Sequence, residues 1–195
     1  MESRIVYFEK PGVENTEEAL RVVSQRAEEL GVKTVLVAST SGDTAVRAMD
    51  VLKGLRVVVV THCTGFKEPN TQEFTEENRK IIESKGGRIL TATHTFAGLS
   101  RATHRKHNMT VLGEVIADTL RIFGQGIKVA CEISMMAADS GLVRTDEDII
   151  AIAGTGGEGR GADTALVLKP VNSHDFFDLK VKEILCKPHF EITTA

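Results

Sequence analysis

The 195-residue sequence has no tryptophan and a single tyrosine, too little aromatic surface for a stacking platform that would hold single-stranded nucleic acid. It also lacks a dominant charge. A formal net charge of -3 argues against electrostatic attachment to nucleic acid or to an anionic membrane. No run approaches the roughly 18 consecutive apolar residues of a membrane span. The first residues, Met1-Glu2-Ser3-Arg4, lead straight into an apolar tetrad without the form of a signal peptide, so a cytoplasmic location is expected. Cysteine is scarce as well. Cys63, Cys131 and Cys186 stand far apart and form no Cys-x-x-Cys pair, so reduced, mostly buried thiols are expected rather than a disulfide framework.

What is present fits an ordinary globular protein, with 42% hydrophobic and 26% charged residues. The length suits one well-buried core, and a single α/β domain over residues 1–195 is expected. Residues 5–8 form a short β-rich run. Asn15 or Thr16 can cap a helix whose first turn holds Glu17 and Glu18 and whose apolar face is Ala19, Leu20, Val23, Ala27 and Leu30. Residues 34–38 (Thr-Val-Leu-Val-Ala) are almost continuously apolar, as in a strand covered on both faces. The phrase then repeats: a helix over 44–52, a strand over 56–60, a helix over 75–85 and a short strand over 88–91. Alternation of this kind implies right-handed crossovers and a parallel sheet.

Residues 92–110 carry little apolar periodicity and read as a long loop rich in His, Thr and basic residues. Two helices follow, over 111–123 and 127–138. Residues 149–153 and 163–168 read as strands joined through the eight-residue loop 154–161, too short for a crossover helix, so they should pair as an antiparallel hairpin. Residues 174–190 add an edge strand or a tail helix, and the alternation at 179–182 favours the strand. The expected architecture is three-layered: a mainly parallel sheet, helices on both faces, and an antiparallel hairpin towards the C-terminus.

Four groups of residues can carry chemistry. Ser39, Thr40, Ser41, Gly42, Asp43 and Thr44 lie at a strand's carboxyl end and open a helix. Hydroxyls, a glycine and helix-start amides are what a phosphate requires, although the same residues also serve as a plain N-cap. The stretch 154–161 has five glycines, and Arg160 offers a guanidinium suited to phosphate. It matches G-x-G-x-x-G, but no helix follows, so the dinucleotide fingerprint fails; a ligand-wrapping loop and a bare hairpin tip both stay open. His62, Cys63 and Thr64 share the carboxyl edge of the sheet, where ligands of such folds bind. Adjacent residues on an extended chain point apart, so His62 is poorly placed to activate Cys63. His94, His104 and His107 lie among Arg101, Arg105 and Lys106, and those cations oppose metal binding; no metal site is expected, and His94 is the best pocket candidate of the three. Glu114 and Asp118 fall on one helix face and read as surface charges.

Residues 17–62 resemble the C-terminal domain of pyruvate kinases: a helix, then 34–42 (Thr-Val-Leu-Val-Ala-Ser-Thr-Ser-Gly), a second helix, and 57–61 (Val-Val-Val-Val-Thr). Residues 141–154 and the glycine-rich hairpin after them resemble that domain's last two strands. In that family the Ser/Thr turn cradles a phosphate of the activator. The departures are Asp43 where the family usually has Arg or another residue, the missing activator-site tryptophan, and a divergent or inserted region about 64–140. The catalytic barrel has no counterpart here, so kinase activity is not implied. The whole chain is similar to stand-alone archaeal proteins with this domain's fold.

That resemblance implies the flavin nucleotide FMN, with its phosphate held by Ser39, Thr40, Ser41, Gly42 and Thr44. His62, Thr64, His94 and Thr95 would line the edge, and Gly156, Gly157, Glu158, Gly159, Arg160 and Gly161 would cover the ligand. A flavin-dependent oxidoreductase, a non-catalytic sensor of a phosphorylated metabolite, and a hydrolase or transferase using Cys63 or the histidine loop all remain open. The exposed hairpin end of the sheet leaves homo-oligomerisation open too.

Overall fold

The computed structural model describes residues 3–156 and 161–190. The chain runs β1 (Val6–Phe8), α1 (Thr16–Leu30), β2 (Thr34–Ala38), α2 (Asp43–Val51), β3 (Arg56–Val60), α3 (Glu76–Ser84) and β4 (Arg88–Leu90). Then come α4 (Gly98–His107), α5 (Leu112–Arg121), α6 (Gln125–Asp139), β5 (Ile149–Ala153), β6 (Thr164–Lys169) and β7 (Lys180–Pro188). Among the described residues no helix is long and apolar enough to cross a membrane.

The strands form one sheet in the order β1-β7-β6-β5-β2-β3-β4. β2 pairs in parallel with β3 on one side and β5 on the other, and β3 pairs in parallel with β4. β5–β6 and β6–β7 are antiparallel, which confirms the hairpin and makes the last segment a strand. β1 docks in parallel on the far edge of β7, Val6 opposite Cys186, a pairing across almost the whole chain that no local pattern announces.

Alternation along the central strands sorts their side chains between two cores. Val35, Val37, Val57, Val59, Ile150 and Ile152 face a core closed by Leu20 and Val23 of α1, Ala45 and Ala48 of α2, and Ile82 of α3. Leu36, Val58, Val60, Ile149 and Ala151 face the other way, onto Ile127, Ala130, Cys131, Ile133 and Ala137 of α6. Both faces are covered, which is why these strands read as unbroken apolar runs. α5 packs outside α6, where Ala117, Met135, Phe96 and Val171 make a small third core.

Two local expectations are corrected. Residues 92–110 are not a loop throughout: α4 occupies Gly98–His107 and ends at Asn108 in the left-handed conformation. The helix buries none of its residues, so it has no apolar stripe for a periodicity reading to find. At the start of α1, neither expected cap acts as one. Asn15 donates to Lys10 O instead (2.7 Å), and the buried Thr16 hydroxyl accepts from Ala162 N–H (3.0 Å), tying α1 to the glycine-rich hairpin.

Ile152 is fully buried in the strand that joins the parallel and antiparallel halves of the sheet. Ile152→Ala should lower unfolding stability by about 2–5 kcal/mol, read from urea denaturation with an unchanged m-value. A loss below about 1 kcal/mol would mean that the site collapses to fill the space.

Candidate functional site

Parallel pairing brings the carboxyl ends of β2, β3, β4 and β5 to one edge of the sheet. The chain leaves β2 towards α2 on one face, while α6 covers the opposite face before β5 begins. A divergence of this kind beside the strand ends is where open α/β sheets form crevices. A cavity of about 570 Å³ lies there, walled by the loops after β2, β3, β4 and β5 and by α4, α5 and α6.

The turn after β2 forms one end. Ser39 N–H donates to Val60 O (3.1 Å), so the turn starts under control of the neighbouring strand. Gly42 has φ 105°, and a Cβ there would lie 2.5 Å from Asn78 Cβ, so both conformation and space demand glycine. α3 braces the turn from below. Thr75 N–H and Asn78 Nδ2 both donate to Ser41 O (3.0 and 3.1 Å), and Asn78 Nδ2 also donates to Asp43 Oδ1 (2.9 Å). Ser41 Oγ donates to Asp43 Oδ2 (2.6 Å). Ser39, Thr40, Ser41, Thr44 and Arg47 line the cavity. The hydroxyls of Thr40 and Thr44 make no hydrogen bond among the described residues, so they are available to a ligand.

A second group gathers past β3 and β4. His62 Nδ1 lies 2.7 Å from Glu73 Oε2, and Lys67 Nζ lies 3.1 Å from the other carboxylate oxygen. Burial pushes Glu73 up, but the hydrogen bonds from His62 and Lys67 outweigh it and hold the carboxyl below its ordinary range. Phe66 packs on His62 (ring centroids 4.0 Å apart) and stacks on His94 (5.1 Å, interplanar angle 26°). The Arg101 guanidinium of α4 sits 4.7 Å from the Phe66 ring centroid. Cys63 N–H donates to His94 Nε2 (3.3 Å), which assigns the His94 proton to Nδ1. Burial holds His94 below its ordinary pKa; the Glu132 charge opposes that, and the charges of His62, Lys128 and Arg101 reinforce it.

The inner wall holds what the sequence reading missed. Lys128 and Glu132, one turn apart on α6, form an ion pair with only 8% and 4% of their side chains exposed. Glu132 Oε1 also accepts Phe96 N–H (2.9 Å). The available signal was two opposite charges at helical spacing inside an otherwise apolar helix. Phe66 and Phe96 carried no signal of their own.

The glycine-rich stretch forms the remaining rim. Buried Asp163 accepts Thr155 N–H at Oδ2 (3.1 Å) and the Thr164 hydroxyl at Oδ1 (2.8 Å), which pins the base of the loop. Gly154, Gly156 and Gly161 line the cavity. A Cβ on Gly161 would come within 2.4 Å of Val13 Cα, so this glycine permits backbone contact with the segment before α1. Gly157, Glu158, Gly159 and Arg160 lie outside the described residues.

Of the other expected residues, His62 and His94 line the cavity, whereas Thr64 and Thr95 do not. Cys63 does not line it either, and its thiol makes no hydrogen bond among the described residues, so no Cys–His couple is formed. The three histidines separate. His104 pairs with Glu114 (3.1 Å) on the cavity wall, while His107 is exposed outside it. Glu114 is thus more than a surface charge, since it also accepts Val111 N–H at the start of α5 (3.3 Å). Asp118 is largely exposed and pairs with Arg121 (2.6 Å).

The family described as pyruvate kinase, alpha/beta domain, matches residues 17–168. That span runs from α1 to β6 and holds the turn, the cavity walls and the hairpin, and leaves β1 and β7 outside it.

Removing one partner of a buried pair strands the other charge, so Glu132→Ala should cost about 3–5 kcal/mol in a denaturation experiment. A loss as small as that of an exposed pair would place the Lys128–Glu132 couple in water. His94 supplies a pH signature. Because the folded state holds it below its ordinary value of 6.5, its contribution to stability is complete above pH 6.5 and is lost as pH falls towards the folded value. Wild type should therefore lose stability faster than His94→Gln as pH drops below 6.5; parallel curves would contradict the burial of the ring.

Proposed function

The chain belongs to the pyruvate kinase alpha/beta domain family, and we propose that it binds a phosphorylated small molecule, FMN, in the cavity at the strand carboxyl ends. The observation that carries this reading is the turn of residues 39–44, which opens α2 at the cavity and brings Thr40 and Thr44 into its lining. A helix N-terminus with hydroxyls at its rim suits a phosphate, and Arg47, one turn along α2, adds a cation. Asp43 is the opposing element. Its carboxylate is tied to Ser41 and Asn78, so the phosphate must be balanced by the helix amides, the threonine hydroxyls and Arg47.

The remainder of the cavity suits the rest of such a ligand. Val60, Phe96, Val129, Ile133 and Met136 give it an apolar inner wall for a ring, and about 570 Å³ lies within the ordinary range for small-molecule sites. When bound, a flavin supplies the redox chemistry and the protein supplies position and electrostatics. His94, with its proton on Nδ1, and the buried Lys128–Glu132 pair are the groups of this chain that would set the field around the ring.

Paired titrations with FMN and with riboflavin, which lacks the phosphate, test the assignment. Thr40→Ala combined with Thr44→Ala should weaken FMN by at least about tenfold and leave riboflavin within twofold. Equal weakening of both would place the phosphate elsewhere, and no FMN binding at all would end the flavin reading. Bound FMN that dithionite bleaches but neither NADH nor NADPH does would favour a sensor over an oxidoreductase fed by those donors.

A further inference from the structure

The positive groups around the cavity differ in one respect. Arg47 pairs with Glu17 (3.6 Å), Arg121 with Asp118 and the Gln125 carbonyl, and Lys128 with Glu132. Arg101 alone of these has no carboxylate partner among the described residues, although it lines the cavity and is partly buried. It is nevertheless positioned, because its guanidinium lies against the Phe66 ring, and Phe66 is itself stacked on His94. A guanidinium on an aromatic face keeps its planar fork of N–H donors free to meet a carboxylate or phosphate with two hydrogen bonds. His94 is anchored through Nε2 by Cys63 N–H, which leaves Nδ1–H as a second donor in the same group.

We infer that Arg101, backed by Phe66 and flanked by His94, forms a second anion subsite of the cavity that takes the carboxylate or phosphate of a small molecule. It is distinct from the turn after β2, since its residues come from α4 and from the segments after β3 and β4. The inference rests on reading the cavity as a ligand site, and it names what the cavity holds beside a nucleotide: either a separate acidic substrate or the second anionic group of one ligand. Burial, reinforced by the charges of His62, Lys128 and Arg101 and opposed by Glu132, holds His94 below its ordinary pKa, so the fixed positive charge of the subsite belongs to Arg101.

Calorimetric titration of the full chain with succinate and, separately, with inorganic phosphate tests this. At least one probe should bind saturably at a site that depends on Arg101, phosphate being titrated into the Thr40→Ala, Thr44→Ala protein as well so that the turn after β2 does not compete. Arg101→Met, which keeps an apolar stem against Phe66, should weaken it by about tenfold or more, and Arg101→Lys by less, because it retains charge without the fork. The Thr40→Ala, Thr44→Ala protein should bind succinate within twofold of wild type, and it should keep the Arg101-dependent phosphate site while the turn after β2 loses its own. Succinate alone would identify a carboxylate site and phosphate alone a phosphate site. Binding of neither probe, succinate binding lost with the threonines, or binding to the Thr40→Ala, Thr44→Ala protein that is indifferent to a further Arg101→Met change with circular dichroism unchanged would overturn the subsite. FMN titration of the same samples separates the two readings: succinate bound without FMN leaves the subsite standing, and FMN bound without either anion removes it.

Discussion

Everything in this molecule hangs on the parallel pairing of β5 with β2. Val35, Leu36 and Val37 lie opposite Ile150, Ala151 and Ile152, and all six side chains are buried. This contact spans more than a hundred residues of sequence, so it forms only after a large loop has been closed, and the closure entropy must be met by apolar burial on both sheet faces. Its direction then decides where chemistry can occur. Because β5 runs parallel to β2, the glycine-rich stretch emerges beside the serine–threonine turn and not at the opposite edge. An antiparallel β5 would put those two loops at opposite ends of the strands.

The three strands nearest this pairing were legible because burial on both faces writes a continuous apolar run, and the hairpin was legible because the short glycine-rich loop after β5 cannot make a crossover. The turn after β2 was legible as a group of hydroxyls around a glycine. Other parts were silent for identifiable reasons. α4 packs through nothing buried, so it shows no stripe. β1 itself was readable as the β-rich run 5–8, but its partner was not, since it lies at Cys186, Lys187 and Pro188, at the other end of the chain. Phe66 acts through what it stacks on, and that neighbour comes from a different strand end. His62 could be nominated from its place after β3, but its partner Glu73 lies in an irregular segment whose path no periodicity specifies.

The Lys128–Glu132 pair sets the character of the inner wall. A buried ion pair is a poor source of stability, since desolvation of both charges offsets most of their attraction, and apolar residues of similar volume would fill the same space as well. They would not, however, accept the Phe96 N–H, which Glu132 does. That bond fixes the segment between β4 and α4, and with it His94 two residues earlier. The pair is therefore better understood as a device for holding the cavity's shape than as a contribution to the core.

The cavity has two chemically different ends and an apolar wall between the loops that form them. At the β2 end, donors come from a helix start and short hydroxyls, all close to the backbone and braced by Asn78. At the α4 end, they come from long or aromatic side chains carried by separate segments and ordered by stacking. Backbone-built sites accept one geometry well, whereas a stacked guanidinium can shift with its helix. α4, which buries none of its residues, is free of the core packing that fixes α2. If the proposed reading holds, the rigid end is the one that would hold the nucleotide tightly, and the end carried by α4 is the one that would let a ligand come and go.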